Sequence, residues 1–292
     1  MTVISCQLRQ QRCKAGVITL WLDNPERDVA VLDQWLLEQL HSALDLLSQD
    51  QFPKGLILRT SGSRAFIAGA DLAEIDSLSD ERLAEYLRFG SDAFHRIADL
   101  PYPTVAAIDG TTLGGGLELA MHCDALIASR PDPDRRPYHI GLPEASLGLC
   151  PGWGGTQLLP ARMNPSQAIC MAATGVTVPI TEAPDGLITT MVDRPEDLQA
   201  AATKWILGNG NEASKGPKSF ACRDQTVEVA LAEAKDQIDQ TDASEAVFLA
   251  VKKGLEIGWD AGLATEQKQL IQLRGTTVAK AKLDSFLNKP RS

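Results

Sequence analysis

The stretch AAIDGTTLGGGLELAMHCDALIA, residues 106–128, decides how this chain is read. It begins as an apolar strand, passes through three consecutive glycines and becomes an apolar helix with a carboxylate, Glu118, in its first turn. Glycines leave the backbone N–H groups of Gly114, Gly115 and Gly116 open to a ligand, because no Cβ stands in the way. These amides sit at the positive end of a helix, where a developing anion is stabilised. Glu118 is flanked by Leu117, Leu119, Ala120 and Met121, so rotating the helix hardly offers it a polar face. A carboxylate buried without partners holds its proton more tightly and is suited to proton transfer. Each feature alone has a plainer explanation: glycines also permit close strand–helix packing, and an acidic first-turn residue gains ~0.3–1 kcal/mol from the helix dipole.

Two further stretches extend the pattern. RAFIAGADLAEI (64–75) repeats strand, turn and helix, and the Ala70 amide emerges just before Asp71, which has capping-box spacing to Glu74. GLPEASLGLCPGWGGTQLLP (141–160) places Glu144 after a proline among apolar residues, then Gly152 and Trp153 in another glycine-rich turn. Amides from two separate strand-to-helix turns are what a two-donor oxyanion hole requires, and two carboxylates beside it form a stronger pattern than either alone.

The rest of the chain reads as α/β, strands alternating with helices. GVITLWLDNP reads as a strand ending in an Asn-Pro turn, and Leu32, Trp35, Leu36, Leu40, Ala43, Leu44 and Leu47 then recur at helical spacing. KGLILRT (54–60) is a continuous apolar run of the kind found between neighbours in a parallel sheet. Leu83, Tyr86, Leu87, Phe94 and Ile97 mark another amphipathic helix, stopped by Pro101 and Pro103 before the strand TVAAID. SRPDPDRRPYHIGLPE reads as an exposed loop. The best boundary is LGNGNEASKGPKS (207–219), which divides a core of residues 1–207 from a helical region, 208–292.

Composition narrows the function further. The 292 residues hold 28 Lys and Arg against 38 Asp and Glu, a net charge of −10, with no basic run to attract nucleic acid or anionic lipid. No apolar stretch approaches the ~20 residues of a membrane helix, and the N-terminus lacks a secretory pattern, so the expectation is a soluble cytoplasmic protein. Six dispersed cysteines form no C-x-x-C pair and four histidines no H-E-x-x-H, so no metal site is expected, and MHCD (121–124) reads as filler. The glycine-rich segments match neither a P-loop nor a dinucleotide fingerprint, and no G-x-S-x-G elbow occurs.

RAFIAGADL, AAIDGTTLGGGLELAMHCDALIAS and IGLPEASLGLCPGWGGTQLLP together resemble the crotonase (enoyl-CoA hydratase/isomerase) superfamily in order and separation. The resemblance implies a spiral of β-β-α units, a C-terminal helical region that builds homotrimers or dimers of trimers, and an acyl-CoA thioester substrate, coenzyme A being part of the substrate rather than a separate cofactor. It matches Ala70 and Gly115 to the two oxyanion amides and Glu118 and Glu144 to the catalytic pair. It matches Gly152 to a helix end that polarises Glu144, and places Ala68, Gly69, Asp71, Leu72, Gly114 and Trp153 around the substrate. Having both glutamates favours water addition to a 2-enoyl thioester. Isomerisation, thioester hydrolysis, carbon–carbon lysis and a catalytically silent acyl-CoA-binding protein are the alternatives. Arg64 is a candidate for the coenzyme A phosphates beside its plainer reading as an exposed side chain. PDPDRRP (131–137) resembles an insertion that either covers the site or bulges into solvent.

Overall fold

The computed structural model describes residues 6–49, 53–62, 64–134, 137–209 and 216–288. Strands β1 (Gln10–Arg12) and β2 (Val17–Trp21) form a hairpin that leads into α1 (Gln34–Gln49). The chain then repeats one scheme, sending a first strand into a large sheet and a second into a small one. β3 (Gly55–Arg59) and β4 (Ala65–Ile67) precede α2 (Leu72–Ser77) and α3 (Asp80–Ala98), and β5 (Thr104–Ile108) and β6 (Thr111–Leu113) precede α4 (Gly115–Met121). β7 (Ala125–Ser129) and β8 (His139–Gly141) precede a 3-10 turn at Glu144–Leu147, α5 (Gly155–Arg162) and α6 (Pro165–Thr174). β9 (Thr177–Pro179) and β10 (Thr190–Val192) join the small and large sheets, followed by α7 (Leu198–Gly208), α8 (Gln225–Gln237), α9 (Asp242–Ile257), α10 (Trp259–Arg274) and α11 (Thr277–Leu287).

The large sheet has the order β1-β2-β3-β5-β7-β10 and the small one β4-β6-β8-β9. All pairings are parallel except β1 with β2 and β8 with β9. This is the α/β spiral of strand–strand–helix turns with helices gathered after residue 208. Its central strands are apolar throughout because both faces are covered. Leu56, Leu58, Ala106, Ile108, Leu126 and Ala128 face the main core, while Ile57, Val105, Ala107, Ala125 and Ile127 pack under Leu198, Ala202 and Ile206 of α7.

Three sequence expectations need correction. The loop read across 130–144 contains β8, with Ile140 fully buried, and β6 interrupts what read as one strand-to-helix turn. Strands of three residues are too short to show a period of two. The capping box at Asp71 is half formed: Asp71 accepts from the Ala73 and Glu74 N–H groups, but its own N–H donates to the Leu32 carbonyl. Glu74 is thereby released to accept from Gln34 N–H at the start of α1.

Residues 210–215, inside the segment read as a boundary, lie outside the described residues. Beyond it, α9 packs on α5, α6 and α10, and α10 also reaches α3 and α5. Gly258, with φ +115°, breaks the helical pattern of 246–263 into α9 and α10, so α10 turns back over the N-terminus of α5.

Candidate active site

One cavity of about 790 Å³ is lined by eleven of the residues singled out from the sequence: Ala68, Gly69, Ala70, Asp71, Leu72, Gly114, Gly115, Glu118, Glu144, Gly152 and Trp153. Its walls come from β4–α2, β6–α4, the 3-10 turn, the loop entering α5, and the far ends of α10 and α11.

The Ala70 amide is aimed by a lone parallel bridge to Leu32. Leu32 N–H donates to Gly69 O at 2.9 Å and Asp71 N–H to Leu32 O at 3.2 Å. In a parallel bridge these neighbours serve the partner strand, so the N–H of Ala70 itself lies on the opposite side, toward the cavity. Tyr86 Oη donates to the same Leu32 carbonyl and fixes the bridge from α3. Gly115 is the first residue of α4, where an N–H has no partner within the helix. Gly114 N–H donates to Gly141 O, while Leu117 and Glu118 N–H donate back to Gly114 O. Among the described residues, no acceptor is found for Ala70 or Gly115 N–H.

Glu118 is 1 % exposed. Its burial is not without partners: its Oε1 accepts from Trp153 N–H and Gly155 N–H, each at 2.8 Å. The amides entering α5 therefore polarise Glu118, and the expectation that this helix end serves Glu144 is corrected. Gly152 lines the cavity, and its carbonyl accepts from Gln267 Nε2 at 3.3 Å. The Glu144 Oε2 atom is buried with no hydrogen-bond partner, and its Oε1 lies against Gly114.

Trp153 is pinned by its indole N–H to Leu87 O at 2.9 Å and packed against Tyr86 and Phe94. A Cβ added to Gly115 would lie 2.4 Å from Trp153 Cζ3, so the glycine is required by the ring as well as by a ligand. The mouth of the cavity carries Arg27, ion-paired to Asp33 at 3.0 Å and Asp71 at 2.9 Å.

The family model of enoyl-CoA hydratase/isomerase matches residues 12–261. The chain belongs to the enoyl-CoA hydratase/isomerase family. Among solved structures it is similar to an enoyl-CoA hydratase from Bacillus anthracis, at 26% identity and TM-score 0.63, covering 96% of this chain and 95% of that one. It is similar in fold to an enoyl-CoA hydratase/isomerase from Xanthobacter autotrophicus Py2, at 23% identity and TM-score 0.68 over 98% and 94% of the two chains. It is likewise similar in fold to human mitochondrial delta3-delta2-enoyl-CoA isomerase, at 21% identity and TM-score 0.70 over 96% of each.

In this enoyl-CoA hydratase/isomerase family member, sequence reading overlooked a further buried carboxylate beside Glu118. Glu266 of α10 is fully buried, its Oε2 accepting from Gly154 N–H and its Oε1 from Thr156 N–H, each at 2.7 Å, with Thr156 Oγ1 donating as well. It reads as a surface glutamate within ATEQKQL, but Gly262, Glu266, Leu270 and Leu273 fall on one buried stripe of α10, a signal that helical spacing does carry. Burial first, then the charges of Glu266 and Glu144, raises the Glu118 carboxyl well above the usual range, against the pull of the Trp153 and Gly155 N–H groups. Burial also raises Glu144, with Glu266 adding to it, and raises Glu266 itself against its three donors. Also overlooked were the α11 residues Lys282, Ser285 and Phe286, which line the cavity from the end of the chain.

Arg64 is exposed and lines a second cavity with Asp109, Thr111 and Arg130 rather than the main one, so its plainer reading stands. Pro131, Asp132 and Pro137 of the insertion also line that second cavity. Residues 135–136 are outside the described set. Among the described residues, no cluster of three or more His, Cys, Asp or Glu forms a metal site, and no helix is long and apolar enough to cross a membrane.

Proposed function

We propose that this chain is an enoyl-CoA hydratase, adding water across the double bond of a 2-enoyl-CoA thioester. The observation that carries the reading is the unequal treatment of two carboxyls in one cavity: buried Glu118 is met by two N–H donors, while half-buried Glu144 keeps a buried oxygen with none. The two N–H donors oppose the burial that raises Glu118 and support the ionised form that a base needs. A carboxyl with one buried oxygen left without a donor, raised by burial against its own backbone N–H, favours the neutral form, making Glu144 the acid. With Glu144 protonated, one of the two like charges acting on Glu118 is absent.

The thioester oxygen lies between the Ala70 and Gly115 amides. Water oxygen bonds to the β-carbon as Glu118 takes a proton from it, the π electrons move through the α-carbon to the thioester oxygen, and the two amides hold the enolate. Glu144 then delivers its proton to the α-carbon, and exchange with solvent restores both carboxyls. Each oxyanion donor contributes about 100- to 1,000-fold in rate. The reaction uses no cofactor beyond the coenzyme A that the substrate carries. A cytoplasmic location, a homotrimer or pair of trimers, and division of the chain near residue 207 belong to the same proposal.

The test is loss of enoyl-thioester absorbance over a panel of 2-enoyl-CoA chain lengths. Turnover abolished in both Glu118→Gln and Glu144→Gln, with acyl-CoA binding retained, supports the reading. No turnover on any member overturns it. Release of free coenzyme A, detected with a thiol reagent, assigns hydrolysis or lysis instead, and conversion of 3-enoyl to 2-enoyl thioester without hydration assigns isomerisation.

A further inference from the structure

The four successive amides that open α5 are divided between two carboxylates. Trp153 and Gly155 N–H go to Glu118, and Gly154 and Thr156 N–H go to Glu266. The alternation is possible because Gly154, at φ +100°, turns its N–H away from those on either side. A Cβ at Gly154 would lie 2.3 Å from the Trp259 ring, so α10 presses on this turn from its own first residue as well as through Glu266.

We propose that Glu266 is a positioning residue for the reaction, holding the α5 amides in register for Glu118 and, through its negative charge on the far side of the same helix end, setting how readily Glu118 takes up a proton. The inference rests on the assignment of Glu118 as the base. Glu266 does not line the cavity, so it acts through the α5 amides and through charge rather than by touching substrate.

Two features make the arrangement more than a buried helix cap. A cap needs one acceptor oxygen, whereas Glu266 accepts from two N–H groups and the Thr156 hydroxyl, which favours its ionised form in an interior where an ion is otherwise costly. A neutral glutamine has only one acceptor oxygen and sets its NH2 group against the second amide. The titratable side chains at this end of α5 are Glu118 from α4, His122 at its C-cap, Glu144 from the 3-10 turn, Cys150 from the loop before α5, and Glu266 from α10. Arg162 is turned away to the Met121 and Cys123 carbonyls. No cation among the described residues is paired with Glu118, Glu144 or Glu266, so the like charges are not offset by an ion pair.

The deciding experiment is the pH profile of kcat for 2-enoyl-CoA hydration in wild type, Glu266→Gln and Glu266→Asp. A base loses activity as pH falls through its own titration. Removing the neighbouring negative charge makes Glu118 easier to deprotonate, so Glu266→Gln is expected to move the acid limb down by about one pH unit or more and to lower kcat, with KM nearly unchanged. Glu266→Asp keeps the charge on a shorter stem: the acid limb stays near its wild-type position while kcat falls. An unshifted acid limb in Glu266→Gln overturns the proposal, whatever happens to thermal stability.

A second measurement needs neither turnover nor a folded Glu266 variant. In protein labelled at the glutamate carboxyl carbons, interacting groups titrate as coupled steps, and Glu118→Gln is expected to remove one of those steps and move Glu266 to lower pH. An unchanged Glu266 titration overturns the coupling even if hydration is confirmed. The predicted shift in a protein without hydratase activity overturns only the reading of the reaction.

Discussion

Gly114 is held against Glu144: a Cβ placed on Gly114 would sit 2.6 Å from Glu144 Oε1. The residue that caps α4 at φ +51° thereby also sets where the second carboxyl lies. Gly114→Ala is expected to lower kcat about 100-fold by displacing that carboxyl, since a shift near 1 Å at a reacting group has this effect. The positive φ adds ~1–2 kcal/mol of destabilisation. Gly116→Ala is the comparison, because its Cβ would meet the Ile67 carbonyl at 2.3 Å, away from Glu144. Steady-state kinetics beside thermal melts separates the two, and a Gly114→Ala enzyme with wild-type kcat removes Glu144 from the reaction.

Glu118→Gln retains an oxygen able to accept the Trp153 and Gly155 N–H groups but cannot take a proton from water. A fall in kcat of about 100- to 10,000-fold is expected. The melting temperature should equal or exceed that of wild type, because an ionisable group has been taken out of the interior. Calorimetry and single-turnover kinetics check both parts.

His122 makes folding sensitive to acid. Burial lowers its pKa from 6.5 to about 4, opposed by the bond between Nδ1 and the Glu118 carbonyl. Since a carbonyl only accepts, the neutral ring carries its proton on Nδ1. Between those two values the unfolded chain binds a proton that the folded chain does not, so stability falls as pH drops from 6.5 to 4, by about 3 kcal/mol at most. The buried glutamates act in the opposite sense, their raised pKa values costing stability as pH rises above the ordinary carboxyl range. The difference between wild type and His122→Asn in denaturant titrations isolates the histidine: it should change across that window and be flat above pH 7.

Trp153 separates packing from specificity. Trp153→Phe loses the indole bond to Leu87 O and some ring volume, at an expected cost of ~1–2 kcal/mol. The space freed lies in the cavity wall, so kcat/KM should shift toward longer or bulkier acyl chains. A series of thioesters of increasing length reads this directly, and an unchanged preference would place the acyl chain elsewhere.

Much of this protein was legible in the order of its residues. The apolar runs at 55–59 and 104–108 belong to strands covered on both faces, and burial on both faces leaves no room for alternation. The three glycine-rich turns announce exposed amides because absence of a Cβ is a local property. Glu118 and Glu144 stand out for the same reason, each being a carboxyl among apolar neighbours in its own segment.

What the tertiary structure alone decided are relationships between segments far apart in the chain. Sequence motifs singled out both glutamates but assigned the α5 amides to the wrong one, since hydrogen bonding depends on where two backbones meet in space. Glu266 escaped notice because its neighbours in α10 are polar, and its burial comes from α5, more than a hundred residues earlier. Composition and periodicity report what a residue's own turn of chain prefers. Which donor faces which charge is settled only when packing brings the turns together.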